Sequence, residues 1–286
     1  MSDPIAELIE AEGLPADYAE VVEQHWKPLA TRIARLPASR APLVIGINGA
    51  QGSGKSTLCK FLEVLLARRQ IRAVTLSLDD LYLTRAERQQ LAEEVHPLFA
   101  TRGVPGTHAV ALGLGIIEDM LAGRALDLPR FDKATDDRAS ETTRITGPVD
   151  VLLLEGWCVG AKPQDAAALA EPINALERDE DPEGIWRGLV NHWLAEDYAR
   201  LFDQIDLLVM LKVESFDAVR RNRALQEEKL RAANPKGPSV MDDAALERFL
   251  AHYERLTRHM LAEMPSRADV VIEIGPDHNP VKPAKD

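Results

Sequence analysis

The residues whose spacing carries the most chemistry are Gly49-Ala50-Gln51-Gly52-Ser53-Gly54-Lys55-Ser56-Thr57: a glycine, four residues, then Gly-Lys-Ser. Between a strand and a helix this order makes a phosphate-binding loop. Glycines let the backbone wrap an anion closely, and positive φ is expected at Gly49, Gly52 and Gly54. The wrapped N–H groups and the start of a helix present partial positive charge to phosphate oxygens. Lys55 is then placed to reach the β- and γ-phosphates, and the Ser56 hydroxyl to ligate Mg²⁺. The loop implies a bound nucleoside triphosphate and leaves open where the phosphoryl group goes.

Three carboxylates stand where they could serve that transfer. Asp79 and Asp80 follow the β-rich run Val74-Thr75-Leu76, and Glu155 follows Val151-Leu152-Leu153-Leu154. A carboxylate at the end of a buried strand can hold Mg²⁺ directly or through water. The candidate metal set is therefore Ser56, Asp79 and Glu155. Asp79 could also accept the proton of an acceptor hydroxyl. Helix capping is the plainer duty for one of the aspartates, and position alone does not choose between them. Arg220, Arg221, Arg223 and Arg231 lie on one helix that could close over the triphosphate and neutralise the transferred group. Arg223 and Glu227, and Glu227 and Arg231, are also four residues apart, so salt-bridging along the helix is the rival reading. Arg223 is the candidate for function. Arg102, Lys133 and Arg138 are loop cations that could hold an anionic acceptor, or could be ordinary surface charge. Asp80, Tyr82, His108 and Asp132 complete the candidate acceptor set, with His108 read as a hydrogen-bonding loop residue rather than a catalyst.

The elements that would position these groups alternate. Leu43-Val44-Ile45-Gly46-Ile47 reads as a buried strand, and Ser56 to Gln70 as a helix with Leu58, Leu62, Leu65 and Leu66 on one face. Arg72 to Leu78 is a second strand, and Thr84 with Glu87 forms a capping box for a helix to Val95. Residues 96–108 are loop, a helix spans 109–122, and 129–145 is polar and charge-dense. Val149–Leu154 is a strand, 160–183 an acidic surface excursion, and Ile185–Phe202 one amphipathic helix. Asp206–Val213 is a strand; Ser215 caps the arginine-rich helix, which Asn234-Pro235-Lys236-Gly237-Pro238 ends. A helix over 242–264 and a strand over 268–274 close the fold. Residues 1–36 are helical, with Pro28 expected to kink or break them, and the tail after Gly275 is expected to fray. Strands alternating with helices predict an α/β fold: a doubly wound, mostly parallel sheet. The predicted units are a helical extension over 1–36, a phosphate-loop domain over 37–276, and a flexible tail over 277–286. Ligands gather beyond the carboxyl ends of such strands.

Composition narrows the class. The 286 residues carry a net charge of −12, which argues against nucleic acid or an anionic membrane as a standing partner. An anionic substrate would need local cations. Cys59 and Cys158 follow no metal or redox spacing and suit a reducing, cytoplasmic setting. No apolar run has transmembrane length. A guanine-reading Asn-Lys-x-Asp, an Asp-x-x-Gly after the Glu155 strand and a Leu-Ser-Gly-Gly-Gln signature are all absent. These absences disfavour GTPases and transporter ATPases. Oligomeric state is left open.

The chain resembles the D-glycerate 3-kinases of the plant and fungal type, within the phosphoribulokinase, uridine kinase and pantothenate kinase group. The matching segments are 46–57, Ser77-Leu78-Asp79-Asp80-Leu81-Tyr82-Leu83-Thr84, Arg102-Gly103-Val104-Pro105-Gly106-Thr107-His108, Leu128-Pro129-Arg130-Phe131-Asp132-Lys133, Leu154-Glu155-Gly156-Trp157 and Arg223-Ala224-Leu225-Gln226-Glu227. The resemblance runs from about residue 43 to the last strand. It implies a phosphate-loop NTPase kinase fold over 37–276 with residues 215–238 as its helical lid, ATP as the nucleotide, Asp79 rather than Asp80 as the catalytic aspartate, Glu155 as the acidic strand end, and a reaction in which ATP and D-glycerate give ADP and 3-phosphoglycerate. Ala109 stands where the family has Asp, and Leu81 where it has an aromatic; both are expected near the acceptor pocket. The alternatives are a kinase for another hydroxylated metabolite, nucleoside or pantothenate-like, and a regulatory nucleotide-binding ATPase.

Overall fold

The computed structural model describes residues 3–37, 42–233 and 241–281, with residue 226 and residues 229–233 described by their backbone alone. The chain opens with α1 (Pro4–Ala11), α2 (Tyr18–Val21), a π-helical turn over Val22–Trp26, and α3 (Lys27–Ala34). Pro28 does not break this stretch. It sits in the first turn of α3, just past the π turn, where its missing N–H costs least.

Then follow β1 (Leu43–Gly49), α4 (Lys55–Ala67), β2 (Ala73–Ser77), a 3₁₀ turn over Leu78–Leu81, α5 (Arg85–Glu94) and α6 (Val110–Leu121). The charge-dense stretch is structured as two small antiparallel ribbons. One pairs β3 (Leu126–Leu128) with β6 (Thr143–Ile145); the other pairs β4 (Phe131–Asp132) with β5 (Asp137–Arg138). After β7 (Val151–Gly156) come α7 (Ala175–Glu180), α8 (Ile185–Ala195), α9 (Asp197–Phe202), β8 (Leu207–Val213), α10 (Phe216–Ala233), α11 (Asp243–Glu263) and β9 (Val270–Ile274).

The main sheet has the order β2-β7-β1-β8-β9, and every neighbouring pair is parallel. Side chains alternate between its two faces. Ile45, Leu153 and Val209 enter one core, shared with α4 and the N-terminal helices. Val44, Leu152 and Met210 enter the other, shared with α6, α9 and α11. Burial on both faces is why these strands read as unbroken apolar runs. No helix among the described residues is long and apolar enough to cross a membrane.

Three further expectations are corrected. The helix expected over 185–202 is two, because Glu196 leaves helical geometry (φ −110°, ψ −87°). The bend lets Trp193 meet Phe99 at 5.0 Å while Tyr198 meets His108. The acidic excursion is pinned from beneath: Glu177 pairs with Arg255 at 2.6 Å and Asp181 with Arg187 at 2.9 Å, both carboxylates buried. The tail folds back through Val281, whose N–H donates to the Glu273 carbonyl at 2.8 Å. The expected helix stop at residues 234–238 and the side chain of Arg231 lie outside the described residues.

Candidate active site

Sheet order assembles the site. β7 lies between β1 and β2, with Glu155 in register with Ile47 on one side and Ser77 on the other. The phosphate loop leaves β1, Glu155 ends β7, and Asp79 stands two residues beyond β2. Three segments far apart in sequence thus open on one edge.

Within the loop, positive φ is found at Gly52 (76°) and Gly54 (89°) but not at Gly49, which remains in β1. Gly49 is required for a different reason: a Cβ there would collide with the Ser53 hydroxyl. Ala50 and Ser53 are buried, and the Gln51 Oε1 and Ser53 Oγ atoms are buried without a partner among the described residues. Lys55 Nζ donates to the Ala50 carbonyl at 3.1 Å, folded across the loop. Thr57 follows in the first turn of α4. Ser56 Oγ donates to Glu155 Oε1 at 3.3 Å, so these two candidate metal ligands meet. Asp79, the third, keeps other company.

The 3₁₀ turn after β2 separates the two aspartates. Asp80 turns toward β4, accepting from the Phe131 N–H and from Arg130 Nη1, each at 3.0 Å. It anchors a ribbon. Asp79 accepts from Tyr82 Oη at 2.6 Å and Lys133 Nζ at 2.8 Å. Burial by itself would raise the Asp79 pKa; the Lys133 ammonium and the two hydrogen bonds outweigh it and hold the carboxyl below its ordinary value. Tyr82 is buried and stacks on His108 with ring centroids 4.7 Å apart. Burial, reinforced by the Asp79 charge, pushes the Tyr82 hydroxyl well up, so it stays a donor. His108 is held down to about 3 by burial and is neutral; its Nδ1 meets the Tyr198 hydroxyl.

The 102–108 loop is set by packing. Gly103 (φ 127°) and Gly106 (φ 101°) lie where a Cβ would strike Tyr253 and the Trp193 ring. Trp157 Nε1 and Tyr253 Oη hold the Gly103 and Arg102 carbonyls at 2.8 and 2.9 Å. Arg102 pairs with Asp136 and lies 5.4 Å over the Phe131 ring. Arg138 Nη2 donates to the Tyr82 carbonyl at 2.8 Å. Asp132 shapes its own turn, accepting from the Ala134 N–H at 2.8 Å and the Thr135 hydroxyl at 2.9 Å. Leu81 is fully buried beneath Gly113, and its carbonyl receives the Ala109 N–H at 2.7 Å. On α10, Arg223 pairs with the buried Glu227 and lies 5.6 Å over the Phe249 ring. Arg220 pairs with Glu247, and Arg221 with Glu214 at 3.7 Å.

No family model matches the chain. It is 36% identical over 225 residues to the uncharacterized kinase mug58 of Schizosaccharomyces pombe, covering 74% of this chain and 78% of that one. The chain belongs to this family of phosphate-loop kinases. It is also 31% identical over 258 residues to the chloroplastic D-glycerate 3-kinase of Arabidopsis thaliana, covering 84% of this chain and 54% of the longer plant protein. The solved D-glycerate 3-kinase of Cryptococcus neoformans var. grubii superposes with a TM-score of 0.71 at 25% identity, over 96% of this chain and 98% of that one. The chain is an ATP-dependent kinase acting on a small molecule.

Sequence reasoning missed several residues that position this kinase's site. Arg88 is buried on α5 and donates to the carbonyls of Leu83, Ala100 and Asp136 at 3.2, 2.9 and 2.7 Å. It ties α5, the 96–108 segment and the ribbon together, and on an amphipathic helix nothing in its spacing distinguished it from a surface arginine. Asn48 donates to the carbonyls of Trp157 and Val159 at 3.0 and 2.9 Å, locking the ends of β1 and β7. His278 Nδ1 meets the Gly52 carbonyl at 3.0 Å. Polarity within an apolar strand was the available signal for Asn48; His278 had none.

Proposed function

We propose that this kinase transfers the γ-phosphoryl group of ATP to a hydroxyl of D-glycerate, giving 3-phosphoglycerate and ADP. One observation carries the choice of an acidic acceptor: Lys133 lies 2.8 Å from Asp79, so a cation stands beside the carboxylate suited to be the base. The D-glycerate 3-kinase names of the plant and Cryptococcus relatives support the same substrate.

In this reading Asp79 accepts the acceptor's hydroxyl proton. The hydroxyl oxygen bonds to the γ-phosphorus as the bond from that phosphorus to the β–γ bridging oxygen breaks, and ADP leaves with the electron pair. Lys55 and the loop N–H groups stabilise charge on the phosphates. Arg223 would join them from α10 by exchanging Glu227 for the nucleotide. Arg102, Lys133 and Arg138 hold the acceptor's carboxylate, with Tyr82, His108, Asp80 and Asp132 shaping the surrounding rim. The Ser56 hydroxyl and Glu155 carboxylate, 3.3 Å apart, form an oxygen-only donor pair that suits Mg²⁺. Bound there, Mg²⁺ would supply charge neutralisation for the β- and γ-phosphates. The proposed kinase domain is residues 37–276, with 1–36 as a helical extension against α4 and 215–238 as the lid. A cytoplasmic location suits the two buried, unpaired thiols of Cys59 and Cys158.

The test is a coupled ADP-release assay with a panel of hydroxy acids, uridine and pantothenate. D-glycerate should give the highest kcat/KM. Release with uridine or pantothenate and none with glycerate would rule the assignment out.

A further inference from the structure

Both oxygens of Asp79 already have a donor, and the two donors differ in mobility. Tyr82 Oη is on Oδ1 at 2.6 Å, and its ring is buried and stacked on His108. Lys133 Nζ is on Oδ2 at 2.8 Å, and its side chain is 64% exposed. The backbone beneath Lys133 is secured. Asp80 grips the Phe131 N–H at 3.0 Å, and Asp132 grips the Ala134 N–H at 2.8 Å. A fixed turn therefore carries a flexible four-carbon stem. Lys133 reaches Asp79 from the solvent side, so its ammonium can pass to an incoming anion without any repacking, whereas Tyr82 would have to unstack. The other two rim cations are engaged elsewhere: Arg102 with Asp136, and Arg138 with the Tyr82 carbonyl.

We propose that Lys133 is a specificity switch for acidic acceptors: it holds Asp79 in the free enzyme and passes to the acceptor's carboxylate on binding, releasing Oδ2 for the reacting hydroxyl. The inference rests on the reading of Asp79 as the base. An acidic acceptor supplies the anion that draws the ammonium away. A neutral alcohol supplies none, so its hydroxyl meets a carboxylate that a cation still occupies. Selection then operates at the chemical step as well as in binding, because the same ammonium that holds the right acceptor hinders the wrong one.

The experiment compares D-glycerate with glycerol, the same skeleton without the carboxylate, in wild type, Lys133→Met and Lys133→Arg. ADP release gives kcat and KM for each acceptor, and thermal unfolding confirms the fold. Lys133→Met should raise the glycerate KM at least about tenfold, the loss of one charge-assisted contact. It should also raise kcat/KM for glycerol above the wild-type value. Lys133→Arg should retain much of the glycerate preference. The gain with glycerol is the readout that a merely structural lysine would not produce. Equal losses on both acceptors in Lys133→Met, or an unchanged preference, would overturn the switch. Wild-type behaviour separates the two proposals. A wild type that prefers glycerol overturns both, whereas a wild type that prefers glycerate, with the same preference in Lys133→Met, overturns the switch alone.

Discussion

The phosphate side of the site comes from one continuous stretch. β1 delivers the chain, Gly52 and Gly54 turn it, and Lys55 and Ser56 begin α4 within a few residues. The proposed acceptor side is put together from pieces. Asp79 comes from the turn after β2, Lys133 from the β4–β5 ribbon, Arg102 and His108 from the loop before α6, with Trp157 and Tyr253 bracing that loop from behind. The first depends on local backbone geometry, so its residues must be adjacent in sequence. The second depends on side chains reaching across gaps, so its residues need only be adjacent in space. Substitutions on the phosphate side should therefore act on the transfer itself, and those on the acceptor side on which molecule is phosphorylated.

The largest effect should come from the loop. Lys55→Met removes the loop's lysine cation and should abolish turnover while circular dichroism stays unchanged. Near-normal turnover would break the phosphate-loop reading.

Next comes the pair of aspartates, where the two halves meet. Asp79→Asn should lower kcat by roughly 10²–10⁴, the usual cost of a lost base, with little change in the KM for ATP. Asp80→Asn should spare kcat and raise the glycerate KM, because it slackens the Phe131 and Arg130 anchors of the ribbon. If Asp80→Asn proves the more damaging to kcat, the two roles are reversed.

Arg138→Ala or Arg102→Ala should raise the glycerate KM by about tenfold and leave the ATP KM nearly constant, as the loss of one charge-assisted contact would. Lysine at either position should restore part of the loss, since it cannot make the bidentate contact. An equal rise in the ATP KM would erase the division between the two sides.

Arg223→Ala separates two accounts of α10. If Arg223 acts on the nucleotide, kcat falls more than the ATP KM rises. Its pairing with buried Glu227 also predicts a stability loss of about 1–3 kcal/mol in urea unfolding, because a buried charge loses a partner. A stability loss with normal kinetics would leave α10 as scaffold.

The last effect is on pH stability and leaves the division between the two sides untouched. Burial holds His252 down to about 4 and His108 to about 3, against an ordinary 6.5. The unfolded chain therefore binds protons that the folded chain refuses. Stability is fully present above pH 6.5 and should fall as the pH drops from there toward 4 and 3. Thermal unfolding followed from pH 8 to 4 checks the sign. His252→Leu, on the scaffold side of α11, should flatten part of the slope without changing acceptor preference.

The amino-acid sequence by itself determined the chemistry that depends on neighbours along the chain. Gly-Lys-Ser after an apolar run, the Thr84–Glu87 capping box and the doubly buried strands are local patterns, and all three are found in the structure. The glycines of the 102–108 loop were visible as a motif, but their reason, the Tyr253 and Trp193 rings, was not. Apart from the family resemblance, only the tertiary structure separates the surroundings of Asp79 from those of Asp80. The two residues are adjacent, of one type, and equally placed after β2; what distinguishes them is that Lys133 and Tyr82 reach one while Arg130 and the Phe131 N–H reach the other. It likewise turned Glu177 and Asp181 of an acidic stretch inward onto Arg255 and Arg187, and folded the tail so that His278 meets Gly52. The physical reason is common to all these cases. Periodicity records which face of an element is apolar, whereas the partner of a charge is set by which elements the sheet order brings side by side.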